Sequence, residues 1–263
     1  MIPGASFGPR AAGGLLAFLA MLAALAAHPA RSPRAPDPPA WPHEPPMFKE
    51  ISDQPWNEVA SLGWKPLWGT SRVVRDSSAP YSPPNVLEIR YPVGYPGGEA
   101  PGTVALPLAG LSQVYVGLWW KTSPSWQGHE SNVNKIQFLF PQSGGDIYMA
   151  MYGPQGGPYE LRVLPQFVGI SSDWLVPNVD PGIVTLGTWH RLEWLLMWNP
   201  SSGWPYGICR WWMDGRLVGD YANVPVPPGP FVDFKLSPTW GGVGDVKRQD
   251  DYYRYDHIRI SGR

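Results

Sequence analysis

Apolar residues recur along this chain at every second position, in short runs closed by Gly, Pro, Asn or Asp. Such runs cover residues 86–91, 113–122, 134–140, 146–152, 159–164, 189–198, 207–213, 217–221, 231–236 and 253–261. Period two is the signature of a strand with one face buried. Every window apolar enough for a long helix is broken by Gly or Pro, or alternates with period two. Short strands parted by turn residues predict an all-β sandwich or barrel. Asp214-Gly215, between Trp212-Met213 and Arg216-Leu217, predicts a two-residue hairpin, since both residues tolerate positive φ.

The alternation sorts side chains into two sets. Val114, Val116, Leu118 and Trp120 are expected inside, with Tyr115, Trp119 and Lys121 opposite. Ile136, Phe138 and Phe140 are expected inside against Lys135 and Gln137, and Ile147, Met149 and Met151 against Tyr148 and Tyr152. Leu161 and Val163 oppose Glu160 and Arg162; Ile258 and Ile260 oppose Tyr253, Tyr255, His257 and Arg259. The inward set, with Trp194 and Trp211, forms the expected core. The outward set is Tyr, Trp, Lys, Arg, Gln and His, with almost no aliphatic residue. Rings beside hydrogen-bonding groups suit a sugar, whose C–H face packs on an aromatic while its hydroxyls take the polar groups. The alternative is that these strands lie in different sheets, or that loops cover the rings as a second small core.

The first residues change the picture at the level of domains. Arg10 precedes an apolar run over 15–27 that ends in small residues, the layout of a secretory signal peptide. The run is too short to span a hydrocarbon core about 30 Å thick. Ala24-Leu25-Ala26 offers a cleavage site. Proline at 29, 33, 36, 38, 39, 42, 45 and 46 predicts an extended linker. The expected organisation is a signal peptide over 1–27, a linker over 28–46 and one β-sandwich domain over 47–263, in a secreted, periplasmic or extracellular protein with no stable membrane span after cleavage. Net charge is −1 and only 16% of residues are charged, so no basic surface exists to neutralise a phosphate backbone. Nucleic acid is excluded as a partner on that ground. Cys209 is the only cysteine, so stability rests on the core, and 15 Trp, 12 Tyr and 8 Phe supply it with ring surface to spare.

The stretches Gly187-Thr-Trp-His-Arg-Leu-Glu-Trp, Arg210-Trp-Trp-Met-Asp-Gly-Arg-Leu-Val, Trp240-Gly-Gly-Val-Gly and Tyr252-Tyr-Arg-Tyr-Asp-His-Ile-Arg-Ile-Ser resemble bacterial concanavalin A-like (laminin-G-like) jelly-roll domains. The resemblance covers about residues 110–263. It implies two antiparallel sheets, one of them curved, with glycans bound on the concave face. It implies no single activity, because this fold hosts lectins, glycosidases and lyases.

Chemistry narrows the choice. A retaining glycosidase needs two carboxylates about 5 Å apart, and no Glu-x-Asp-x-Glu run occurs; Glu193 is expected in a cross-strand ion pair with Arg210. A polysaccharide lyase needs cations or amides to neutralise a uronate, a base to take the adjacent proton and an acid for the leaving oxygen. Lys135, Gln137 and Arg162 are candidate neutralisers, His257 a candidate base, and Tyr253 or Tyr255 a candidate base or acid. Tyr-Tyr-Arg-Tyr-Asp-His is similar to the Tyr-rich closing-strand motif of jelly-roll lyases, but lacks its Lys-x-Gly step. His190, between apolar strand neighbours, is expected to be buried and hydrogen-bonded. Asp245, Asp250 and Asp251 are the acids available to a calcium ion, without the spacing of a dedicated calcium loop; no cofactor is required. Five scattered His give no zinc pattern.

The leading expectation is an exported polysaccharide-binding sandwich with Tyr115, Trp119, Lys121, Tyr148 and Tyr152 on its glycan face. A uronate lyase using Tyr253, Tyr255, His257, Lys135, Gln137 and Arg162 stands second, and a non-catalytic structural surface protein third.

Overall fold

A computed structural model describes residues 41–171, 173–198, 206–227 and 229–263; the expected signal peptide and most of the linker lie outside these residues. Among the described residues there are fifteen strands, β1 to β15 in chain order, and no helix. One sheet holds β1 (Lys49–Gln54), β3 (Ser71–Arg75), β4 (Asn85–Tyr91), β6 (Gln113–Thr122), β11 (His190–Met197), β12 (Tyr206–Met213), β13 (Arg216–Pro225) and β15 (Asp251–Gly262). The other holds β2 (Lys65–Gly69), β5 (Gly102–Leu111), β7 (Val133–Pro141), β8 (Gly145–Tyr152), β9 (Tyr159–Phe167), β10 (Ile183–Val184) and β14 (Phe231–Leu236). The eight-stranded sheet runs β13-β12-β11-β6-β15-β4-β3, with β1 also on β15; the seven-stranded sheet runs β10-β9-β8-β7-β14-β5-β2. Every pairing is antiparallel, so the architecture is the expected two-sheet antiparallel sandwich. Asp214 (φ 53°) and Gly215 (φ 83°) close the β12–β13 hairpin.

The core lies between the sheets. Val114, Val116, Leu118 and Trp120 of β6 and Trp194 and Trp211 of β11 and β12 are in it, as the alternation requires. Two bulges invert the expectation elsewhere, because one extra residue moves every later side chain to the other face. In β7 the register shifts between Lys135 and Gln137. Gln137 thereby turns inward opposite Met149, and Phe138 and Phe140 turn outward, contrary to the simple period-two reading. In β15 the register shifts between Tyr255 and Ile258. Ile258 and Ile260 stay inside, and so do Tyr253 and Tyr255, which were expected outside. Glu193 and Arg210 are not partners either: Glu193 sits opposite Trp212, and Arg210 pairs with Asp220 at 2.6 Å.

The outer face of the eight-stranded sheet is covered by the chain itself. Residues 41–46, expected at the end of the linker, lie against it, with Trp41 over Gly117, where a Cβ would come within 2.4 Å of the indole. His43 stacks on Trp212 with ring centroids 4.5 Å apart. Beneath them the buried Glu193 accepts from the Tyr115 hydroxyl at 2.6 Å and the His43 amide at 3.1 Å.

Candidate functional site

The residues expected to share one site fall in three places. Tyr253, Tyr255 and Gln137 are core: the Tyr255 hydroxyl donates to the Ile136 carbonyl at 3.0 Å, and Gln137 Nε2 lies against Met149 Sδ. Burial drives both phenols well above their ordinary pKa. Tyr115, Trp119, Lys121 and His257 belong to the outer face of the eight-stranded sheet. Tyr115 and Trp119 join Trp41 and Trp212 in a small apolar cluster; Lys121 is paired with Asp76 at 2.5 Å, and His257 Nε2 lies 2.5 Å from Asp53. None of these seven reaches the seven-stranded sheet's outer face, which corrects the placement of four of the six expected catalytic residues and three of the five expected glycan residues. His190 is buried as expected, its Nδ1 2.7 Å from Asp214.

Lys135, Tyr148, Tyr152 and Arg162 do come together, on the outer face of the seven-stranded sheet. Ala150 pairs with Lys135 on one side and Arg162 on the other, so the two cations flank it across three strands. Tyr148 and Tyr152 stand two residues before and after Ala150 on β8, hence on the same face. The smallest side chain of the group is at the centre, bounded by two rings and two cations. Trp174, from the segment between β9 and β10, lies over this centre, edge-on to Tyr148 at 5.7 Å and to Tyr152 at 5.3 Å. Its neighbour Leu175 is fixed by two backbone hydrogen bonds with Val163, of 2.8 and 3.1 Å. The rings of this face are therefore a packed satellite cluster: Tyr148 is only 3% exposed, while Trp174 and Tyr152 are half-buried.

The polar groups around the cluster are partly desolvated. Lys135 lies 4.9 Å from the Tyr148 ring centroid, and burial lowers its pKa, with Asp146 opposing. Burial raises the Asp146 carboxyl and the Tyr148 phenol, so Tyr148 remains protonated at neutral pH. The Arg162 guanidinium stacks 3.8 Å from the Tyr152 centroid while bonding Glu160 at 2.6 Å. Next along the face, Lys235 on β14 lies 4.2 Å from the Phe140 centroid and 3.1 Å from Asp233. Lys235 and Trp174 were absent from the expected set. Lys235 was legible from its place between inward Phe234 and Leu236; Trp174 was not, since no period marks a loop residue. The arrangement offers ring surface, two forked or ammonium donors and a carboxylate at one place.

Asp245, Asp250 and Asp251 are each engaged with protein cations, Asp245 with Arg248, Asp250 with Arg90 and Asp251 with Lys247. Among the described residues no three His, Cys, Asp or Glu side chains are placed to hold a metal ion. Among the described residues no helix is long and apolar enough to cross a membrane.

No protein-family model matches the chain. No curated protein matches it in sequence. Solved structures do match in three dimensions. An endo-β-1,4-glucuronan lyase from the fungus Trichoderma reesei is 16% identical, with 74% of this chain and 88% of that one covered and a TM-score of 0.53. Alginate lyase vAL-1 from Chlorella virus is 11% identical, covering 82% and 100%, at 0.54. Domain 4 of the arabinanase AbnA from Geobacillus stearothermophilus, solved with arabinotriose, is 17% identical, covering 82% and 93%, at 0.51. At such identities the likeness shows the fold alone, an all-β jelly-roll sandwich.

Proposed function

We propose that this protein is an exported polysaccharide-binding sandwich whose glycan lies on the outer face of the seven-stranded sheet. The observation that carries this reading is the Trp174 indole, propped by Tyr148 and Tyr152 over Ala150 and flanked by Lys135 and Arg162. A sugar ring packs its C–H face on Trp174 or Tyr152 and gives its hydroxyls to Lys135, Arg162 and Glu160. Sandwiches of this fold that act on or hold polysaccharides support it. Export rests on Arg10 and the apolar run over 15–27.

A second reading, a uronate lyase, is favoured by the Lys135–Tyr148 pair. Arg162 neutralises the uronate carboxylate, the neutral amine form of Lys135, which burial favours, takes the adjacent proton to become the ammonium, and protonated Tyr148 donates to the leaving oxygen. Binding comes first because Tyr148 lies covered beneath Trp174.

The test is affinity electrophoresis on uronic-acid and neutral polysaccharides, run beside an absorbance assay for unsaturated uronate. Retention on at least one polymer, lost in Trp174→Ala and Arg162→Ala at unchanged thermal midpoint, is the expected result. Undiminished retention by both variants removes this face from the function, and absorbance growth on a uronate polymer moves the second reading to first place.

A further inference from the structure

We propose that a second sugar-ring subsite lies at Trp68, at the far edge of the same sheet. This inference rests on the glycan face proposed above. Trp68 stands on the edge strand β2, paired with Thr103, and is 51% exposed. Every residue of β2 is exposed, and Trp68 meets no other aromatic ring among the described residues, so its indole does little for the core. Edge strands are ordinarily blunted with Lys and Pro, which Lys65 and Pro66 already supply.

The surroundings of the ring are those of a sugar site. Trp68 borders a cleft of about 380 Å³ together with Gly98, Glu99, Ala100, Ser237 and Thr239. Its lining residues thus combine an indole side chain with two hydroxyl residues and an acid. The walls are fixed by hydrogen bonds: Gly98 N–H donates to the Trp240 carbonyl at 2.9 Å, and Trp240 N–H to the Glu99 carbonyl at 3.1 Å. Ser237 Oγ lies 2.7 Å from Thr103 Oγ1. A preformed cleft binds without the entropic cost of ordering its walls.

Register ties the cleft to the Trp174 cluster. Ser237 follows Lys235 by two residues, so it continues the outward row of β14, and Lys235 faces Phe138, which faces Tyr148. Four strand steps separate β8 from β2, roughly 19 Å at about 4.8 Å per step. An extended oligosaccharide crossing the strands touches both places, whereas a disaccharide reaches only one.

The experiment titrates the intact protein, Trp68→Ala, Trp68→Phe and Trp174→Ala calorimetrically with disaccharides and hexasaccharides of alginate and of arabinan. For Trp68→Ala we expect hexasaccharide affinity to fall about tenfold, which is about 1.4 kcal/mol, with disaccharide affinity and thermal midpoint unchanged. Trp68→Phe keeps most of the affinity. Equal losses at both lengths, or no hexasaccharide loss in Trp68→Ala while Trp174→Ala weakens both lengths, overturns the Trp68 subsite and leaves the proposed function standing. No binding by the intact protein, or undiminished binding by both alanine variants, overturns both.

Discussion

Tyr255 shows how a single inserted residue decides whether a side chain packs or binds. Its ring is core because β15 carries an extra residue before Ile258, and its hydroxyl has a partner because β7 carries one at Ile136. A bulge leaves one carbonyl out of the ladder; here the Ile136 carbonyl receives a phenol from the opposite sheet. Tyr255→Phe strands that acceptor in an apolar interior, which costs about 1 to 3 kcal/mol. The unfolding free energy from chemical denaturation is expected to drop by that amount, with polysaccharide retention unchanged; lost retention in a folded Tyr255→Phe protein would return this phenol to the binding set. Arg162, Tyr148 and Tyr152 were legible as outward groups because β8 and β9 pair without a register shift. Tyr253, Tyr255 and Gln137 were not, since nothing in a local run of residues announces a bulge that the partner strand imposes.

At the scale of elements, strands buried on one face were legible nearly to their ends: β6 and β14 coincide with the runs read from the sequence. β2 and β3 escaped because they lie at sheet edges, where little burial sets a period. β5 escaped because Pro107 and Gly110 read as punctuation, although the strand runs through both. The β3 edge is held instead by charge. Arg72 and Arg254 grip the buried Glu88 from two sides, at 2.6 and 2.7 Å, and Asp76 joins Arg254 to Lys121. Burial alone would raise the Glu88 and Asp76 carboxyls, but the hydrogen bonds from Arg72 and Arg254, and from Lys121, Ser78 and Arg254, outweigh it and hold both below their ordinary values. With folded pKa values depressed, the stabilisation is complete above the ordinary carboxyl values of 4.5 and 3.8 and fades as pH falls through the lower folded values. The thermal midpoint is expected to fall steeply below about pH 4.5, and more shallowly in Glu88→Gln, which starts lower at neutral pH. Parallel pH profiles for the two proteins would remove Glu88 as a source of the acid sensitivity.

For the whole molecule, the two outer faces divide the work. On the eight-stranded sheet the segment from Trp41 to Phe48 covers Tyr115, Leu195 and Trp212 and closes over the buried Glu193, which also lies 3.1 Å from Arg191 and His43. Arg259 of β15 pins the same segment through Glu44 and reaches Glu50 of β1 beside it. An aromatic face with its own chain laid over it serves stability: Tyr115 and Trp119 point outward yet pack beneath Trp41, and Lys121 is engaged by Asp76. On the seven-stranded sheet, among the described residues, Trp174 lies over Tyr148, and Tyr152, Arg162, Lys235 and Trp68 remain in reach of solvent. The asymmetry makes a separable prediction. Trp41→Ala empties the space above Gly117 and bares the cluster beneath, a change of the kind that costs about 3 to 5 kcal/mol. Denaturant titration is expected to show a loss of that size, while the folded protein retains polysaccharide as before, because Trp41 and Trp174 serve opposite sides of the sandwich. If instead Trp41→Ala stays as stable as the parent and loses its polysaccharide, the covered face is the binding face, and the Trp174 cluster is the one built for packing.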